Sequence, residues 1–156
     1  MQLWLIPILP LAGFLINGLF GRKFSKGLVS AVAIGSVVLS FLWVLKTIAA
    51  MGDLNTPVVE HYFTWIQSGT INVGCDFLVD RLTIVMLLVV TGIGSLIHVY
   101  SIGYMAHEHG PNFGGYYRFF AYLNLFMLFM LVLVLGASYL LLFVGWEGVG
   151  LCSYLL

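Results

Sequence analysis

Five apolar runs, each close to the length that crosses a bilayer, alternate with shorter polar stretches along this chain of 156 residues. A hydrocarbon core of about 30 Å takes roughly 20 residues of helix. The runs predict helices over 3–20, 27–50, 81–104, 119–135 and 139–156. Pro7 and Pro10 fall in the opening turns of the first, where a missing amide donor matters least. A basic loop, 21–26, joins the first pair; a long polar section, 51–80, precedes the third; a turn-rich loop, 105–118, precedes the fourth. Asp80 stands where it caps the free amides of the third helix. Gly136, Ala137 and Ser138 predict a tight turn, so the last two helices form an antiparallel pair.

Composition turns these runs into membrane spans. The chain is 62% hydrophobic and 8% charged, with a mean hydropathy of +1.08. An ordinary soluble domain carries about 25% charged residues, so these charges are too few to solvate a globule of this size. Six basic and six acidic residues cancel, and no basic patch points to nucleic acid. The opening Met1–Leu5 lacks a positive region and a small-residue cleavage site, so it reads as a first span rather than a signal peptide. Cys75 lies in a polar loop and Cys152 in the last apolar run, and no disulfide between them is expected. The predicted fold is thus an all-α polytopic membrane protein of about five spans, forming a single transmembrane unit over 1–156.

Basic residues orient it. Arg22, Lys23, Lys26 and Arg118 share one side, against Lys46 and Arg81 next to Asp53, Glu60, Asp76 and Asp80 on the other. The excess places the first side in the cytoplasm and the N-terminus outside. In the outer section, the β-branched and aromatic runs 58–66 and 70–79 flank Gln67, Ser68 and Gly69, which predicts a small surface hairpin acting as a packing and lid element. Glu60 and His61 in that hairpin, and His107, Glu108 and His109 in the inner loop, loosely suggest metal ligands. Solvated or glycine-rich loops give such pairs no rigid frame, and no metal site is expected from them.

One charge stands apart. Glu147 is eight residues into the fifth helix, about 12 Å from its outer end and near the bilayer centre. A carboxylate there costs at least ~2.5–3.5 kcal/mol on insertion scales, and intramembrane ionisable groups default to transport or relay roles. The alternative is a structural glutamate, protonated and bonded to a neighbouring helix. Gly145, Gly148 and Cys152 form a stripe of small residues on one side of this helix, while Gly150 and Tyr154 share the face of Glu147. Lys46 and Arg118 sit near opposite surfaces, so a cationic partner for Glu147 has to come from elsewhere. His98 falls near the inner interface, with Tyr100 and Tyr104 in an aromatic belt, and reads first as a histidine bonded to a neighbouring helix. Asn124 is a candidate interhelical hydrogen-bond donor. His98, Asn124 and Tyr154 are candidate members of a proton path. Haem is excluded in practice, because the other histidines fall in loops.

The run 143–156, with Trp146, Glu147, Gly148, Val149 and Gly150 at its core, resembles the fifth-helix signature of subunit L of NADH:quinone oxidoreductase (respiratory complex I), the family of mitochondrial NADH dehydrogenase subunit 5. The stretches 117–126, 63–66, 80–83 and 94–105 resemble its fourth helix, outer hairpin and third helix. The resemblance implies a non-redox, proton-translocating, antiporter-like subunit that couples quinone reduction elsewhere in the complex to proton transport, with Glu147 as the protonatable half of an ion pair with a lysine on a later helix. It implies that NADH, FMN, iron–sulfur clusters and quinone are bound by other subunits and that this chain holds no cofactor. It also implies partners among the complex I membrane subunits, especially the adjacent antiporter-like subunit M, and a bacterial cytoplasmic (inner) membrane location. The large subunit of multisubunit sodium/proton antiporters is similar, and a non-translocating piece that only packs against partners is the third reading. Family members continue for many more helices, so the expectation is a chain cut short within its fifth helix.

Overall fold

Buried positions recur every three or four residues along each helix of the computed structural model, which describes residues 2–52, 56–69, 71–106 and 114–156. The helices are α1 (Leu5–Phe20), α2 (Lys26–Met51), α3 (Arg81–Tyr104), α4 (Gly114–Leu135) and α5 (Tyr139–Leu155), with a 3-10 turn over Gly21–Lys23. Strands β1 (Val58–Ser68) and β2 (Ile71–Val79) form the antiparallel hairpin that the loop predicts, Ser68 opposite Ile71 and Val58 opposite Val79. Gly69 takes the turn with φ +57°, a conformation that L side chains rarely adopt. Among the described residues, four helices are long and apolar enough to cross a membrane, and α5, at 17 residues, is apolar but shorter. Cys75 and Cys152 are both free.

Two helix boundaries differ from the sequence pattern by more than one residue. The first helix starts at Leu5, two residues late, and α4 starts at Gly114, five residues early. The aromatic residues Tyr116 and Tyr117, ahead of the predicted start, belong to α4 itself. Tyr116 and Phe120 bury against Val29 and Ala33 of α2. That packing draws into the helix glycines that intrinsic propensity disfavours. Side chains fix the other starts: Ser25, Asp80 and Ser138 accept from the amides of Leu28, Thr83 and Leu141 at 3.4, 2.7 and 3.3 Å. The Thr83 amide holds the Asp80 carboxyl below its ordinary pKa.

The buried seam carries polar side chains while many large apolar ones face outward. Leu19, Leu82 and Leu96 are exposed, while Asn17, Ser30, Ser40, Thr47, Thr91, His98, Ser101 and Asn124 are buried. In lipid, apolar residues gain little by meeting each other, and close approach together with hydrogen bonds drives helix association. Most hydroxyls satisfy themselves on their own helix: those of Ser30, Thr47, Thr91 and Ser101 donate to carbonyls four residues back at 2.6–2.9 Å. Ser40 does otherwise. Pro10 lies inside α1 and has no amide to offer the carbonyl of Ile6. The Ser40 hydroxyl donates to that carbonyl at 2.7 Å, from 34 residues away.

Apolar clusters close both ends of this seam. At the hairpin end Leu3, Ile6, Val44, Ile84, Leu87, Leu131, Leu135 and Leu141 pack with Phe77 and Val79 of β2. At the other end sits the Val29, Ala33, Tyr116 and Phe120 cluster. The hairpin is tied down at two more points. Glu60 accepts from the amide of Leu3 at 2.8 Å and from the Tyr62 hydroxyl at 2.7 Å. Burial pushes its carboxyl up, but the hydrogen bonds it accepts hold it below its ordinary pKa. The carbonyl of Asp76 accepts from the amide of Ala137 at 3.0 Å, in the turn between α4 and α5.

The fifth helix packs chiefly on α4, through Leu141, Gly145, Gly148 and Cys152, its buried residues. A Cβ on Gly145 would stand 2.6 Å from the backbone nitrogen of Leu133, and one on Gly148 would strike the Phe129 ring. The two backbones therefore touch only because these positions are glycine.

Ser40→Ala is expected to cost about 1–3 kcal/mol, the range for a buried acceptor left unpaired. In a Pro10→Ala background, where residue 10 regains its amide, that cost falls, giving a coupling of roughly 0.5–3 kcal/mol in a double-mutant unfolding cycle; additive costs contradict the assignment. Gly145→Ala loosens the α4–α5 contact by about 1–3 kcal/mol, whereas Gly150→Ala, with open space at its Cβ, stays within about 0.5 kcal/mol. Thermal stability in detergent compares the two.

Candidate functional site

Glu147 sits on the side of α5 turned away from α4. The buried seam of α5 runs through Gly145, Gly148 and Cys152, and Glu147 lies off it by roughly a third of a turn or more at 100° per residue. Glu147 is exposed, as are Phe143, Gly150, Leu151 and Tyr154 around it. The sequence pattern places this carboxylate by depth along the helix; the packing of α5 adds the direction it faces. Small residues at 145, 148 and 152 carry α5 so close to α4 that the opposite face, with Glu147, projects outward from these five helices. Glu147 makes no ion pair among the described residues. Lys46 sits toward the hairpin end of α2, its ammonium 3.9 Å over the Trp43 ring. Arg118 lies near the start of α4, its guanidinium over the Tyr117 ring at 5.8 Å.

A second polar constellation is wholly internal. His98 is fully buried, and its Nδ1 lies 2.8 Å from the carbonyl oxygen of Gly94, one turn back on α3. Its Nε2 lies 2.9 Å from Oδ1 of Asn124 on α4. The bond to a neighbouring helix was legible in the sequence; the depth was not. Asn124 is ten residues into α4, about 15 Å along its axis. His98 therefore belongs to the interior of the bundle rather than to its interface. Tyr100 and Tyr104, exposed and stacked at 6.5 Å, flank the surface beyond it.

The constellation reaches two further helices. A Cβ on Gly13 of α1 would strike both Nδ2 of Asn124 and Oγ of Ser36 on α2, so these three groups converge on one point. Asn17, one turn on along α1, donates to the carbonyl of Val29 at 3.1 Å. Asn124 Nδ2 and Asn17 Oδ1 are buried without a hydrogen-bond partner. Gly13, Asn17, Ser36 and Ser40 escaped the sequence reading. The signal was present as small or polar residues at the three- and four-residue spacing of a helix seam, Gly13 and Asn17 on α1 and Ala33, Val37 and Ser40 on α2. Tyr154 joins neither this cluster nor any other, being 87% exposed on α5.

The other candidates divide. His61 pairs with Asp76 across the hairpin and Glu60 is engaged by Leu3 and Tyr62, so both serve the hairpin's own structure. His107, Glu108 and His109 lie outside the described residues. Among the described residues, no group of three or more His, Cys, Asp or Glu side chains is placed to hold a metal ion.

Comparison with known proteins agrees with this architecture. The family described as NADH-ubiquinone oxidoreductase (complex I), chain 5 N-terminus, matches residues 65–120. NADH-ubiquinone oxidoreductase chain 5 of Talaromyces marneffei is 44% identical over 149 residues, 96% of this chain and 22% of its own length. NADH-quinone oxidoreductase subunit L of Rickettsia conorii is 42% identical over 152 residues, 97% of this chain and 22% of its own. A chain in the structure of the Mrp complex from Dietzia superposes over 100% of this chain and 16% of its own, with TM-score 0.76 and 26% identity. This chain thus spans about a fifth of the length of the curated relatives it matches. Over nearly its whole length the chain is similar to the chain 5/subunit L proteins of complex I, and its residues 65–120 match the N-terminal family of chain 5.

Proposed function

We propose that the protein is an antiporter-like membrane subunit of NADH:quinone oxidoreductase that takes part in proton translocation without redox chemistry of its own, and that Glu147 is its protonatable carrier. The observation that carries this reading is the geometry of α5. A carboxylate costly in lipid projects from the bundle on a face that this chain leaves open, beside Gly150, whose missing side chain leaves room. A cation brought against that face stabilises the carboxylate; its withdrawal drives the group to take up a proton. Residues of α1–α4 supply no such cation, so the partner comes from beyond these 156 residues, from a later helix or another membrane subunit such as the antiporter-like subunit M. The His98–Asn124 pair is proposed as an internal part of a proton path, and Tyr154 as a group lining the open face of Glu147. NADH, FMN, iron–sulfur clusters and quinone are assigned to other subunits. The membrane is proposed to be the bacterial cytoplasmic one, with the hairpin and the N-terminus outside, as the basic residues at the opposite end support.

The likeness to the Mrp complex favours a second reading, a subunit of a sodium/proton antiporter, which uses the same carboxylate with a different driving reaction. Both readings differ from a purely structural piece in one outcome. In the assembled complex, Glu147→Gln keeps size and hydrogen bonding but cannot ionise. Proton pumping is expected to fall at least tenfold while assembly is unchanged, measured in membrane vesicles with a pH-sensitive dye. Wild-type pumping in the variant removes the assignment. Loss that tracks NADH oxidation supports the complex I reading, and loss of sodium-driven exchange without it supports the antiporter reading.

A further inference from the structure

The hydrogen-bond polarity around His98 is mismatched in a way that one rotation corrects. Nδ1 faces a carbonyl oxygen, Gly94 O, and Nε2 faces a second, Asn124 Oδ1, at 2.8 and 2.9 Å. A neutral imidazole has one donor and one acceptor, so two facing acceptors suit only a ring protonated on both nitrogens. At the other end of the same amide, Asn124 Nδ2 is a buried donor with no acceptor. A half-turn of the amide group removes both faults for the neutral ring. Nδ2–H then donates to Nε2, and Oδ1 swings to the point where Gly13 and Ser36 converge. Beside that point lies the Ser36 hydroxyl, which donates to the carbonyl of Ala33 at 2.8 Å.

We infer that His98 is a proton-binding site and that Asn124 reports its state, the amide presenting Nδ2–H to a neutral ring and Oδ1 to a charged one, so that a proton on α3 changes what α1 and α2 meet at Gly13 and Ser36. Three elements pack around the pair, and none brings a counter-charge. The buried polar side chains of α1, α2 and α4 among the described residues are Asn17, Ser30, Ser40, Thr47 and Asn124. Tyr116, in the loop-end cluster, is their one buried titratable residue among those described. Lys26, Lys46 and Arg118 stand toward the helix ends, as does Arg81 of α3. A buried imidazolium without an anion is costly, so the neutral form is the resting one and the charged form is short-lived or driven. The close approach at Gly13 is what makes the amide legible to α1, since any larger residue there would occupy the place where its far pole rests. The inference extends the proposed proton path but does not require Glu147 to carry protons; its failure leaves the Glu147 reading intact, and the converse holds.

The test is nitrogen NMR of the membrane-embedded assembly with 15N-histidine and 15N-asparagine in this chain, His98→Gln and Asn124→Leu serving to assign the signals. At alkaline pH the expected state is the Nδ1–H tautomer of His98, with an internitrogen hydrogen-bond coupling from the Asn124 amide to Nε2. As pH falls, Nε2 gains its proton, that coupling vanishes and the Asn124 amide signal moves in step with the ring. Asn124→Asp, whose two poles are both acceptors, holds the ring doubly protonated over the same range. A neutral ring protonated on Nε2, an Asn124 signal that ignores the titration, or an Asn124→Asp protein that titrates like the wild type overturns the inference.

Discussion

Hydrocarbon offers a polar group no partner, and most polar side chains within the helices are placed according to that fact. Most large side chains on the outer faces of the helices are apolar or aromatic. The Asn17 and Asn124 amides, the His98 imidazole and the Ser40 and Thr91 hydroxyls turn inward, where their own or a neighbouring helix answers most of their polar atoms. Pro10 shows the constraint most plainly. It removes one donor from α1, and the carbonyl freed at Ile6 is satisfied by Ser40 from another helix. A defect in one helix thereby becomes a tie between two. The same logic seats Asn17 on the carbonyl of Val29 and His98 on Asn124. The hairpin end and the loop end are then closed by apolar and aromatic clusters.

Much of this was legible in the residues. Helix number, the Ser68–Gly69 turn of the hairpin, the Asp80 cap and the α4–α5 turn follow from hydrophobic length, turn chemistry and capping, all of which are local. The start of α4 was not, because Gly114 and Gly115 are poor helix formers recruited by the burial of Tyr116 and Phe120. The His98 bond to a neighbouring helix was legible from its type and surroundings. Its partnership with Asn124, 26 residues away, was not, since neither spacing nor composition states which helix faces which. Gly13 and Ser36 passed as ordinary seam residues for the same reason.

Glu147 teaches a different lesson. Its position in an apolar run marked it, but run position gives depth along a helix and not the direction faced. Direction is set by Gly145 and Gly148, whose backbones meet Leu133 and Phe129 of α4 and turn Glu147 away from the bundle. The chain therefore contains two polar devices of opposite character. His98 and Asn124 are buried among this chain's own helices. Glu147 is displayed, and its chemistry depends on what meets the open face of α5.

That face decides the account. A photo-activatable cross-linker at position 150, on the same side of α5 as Glu147 and with open space around it, reports what lies against it in native membranes. Cross-links to protein, from a later segment of the same polypeptide or a neighbouring subunit, are the predicted result. Cross-links to lipid alone, in an assembled and active membrane, would contradict it.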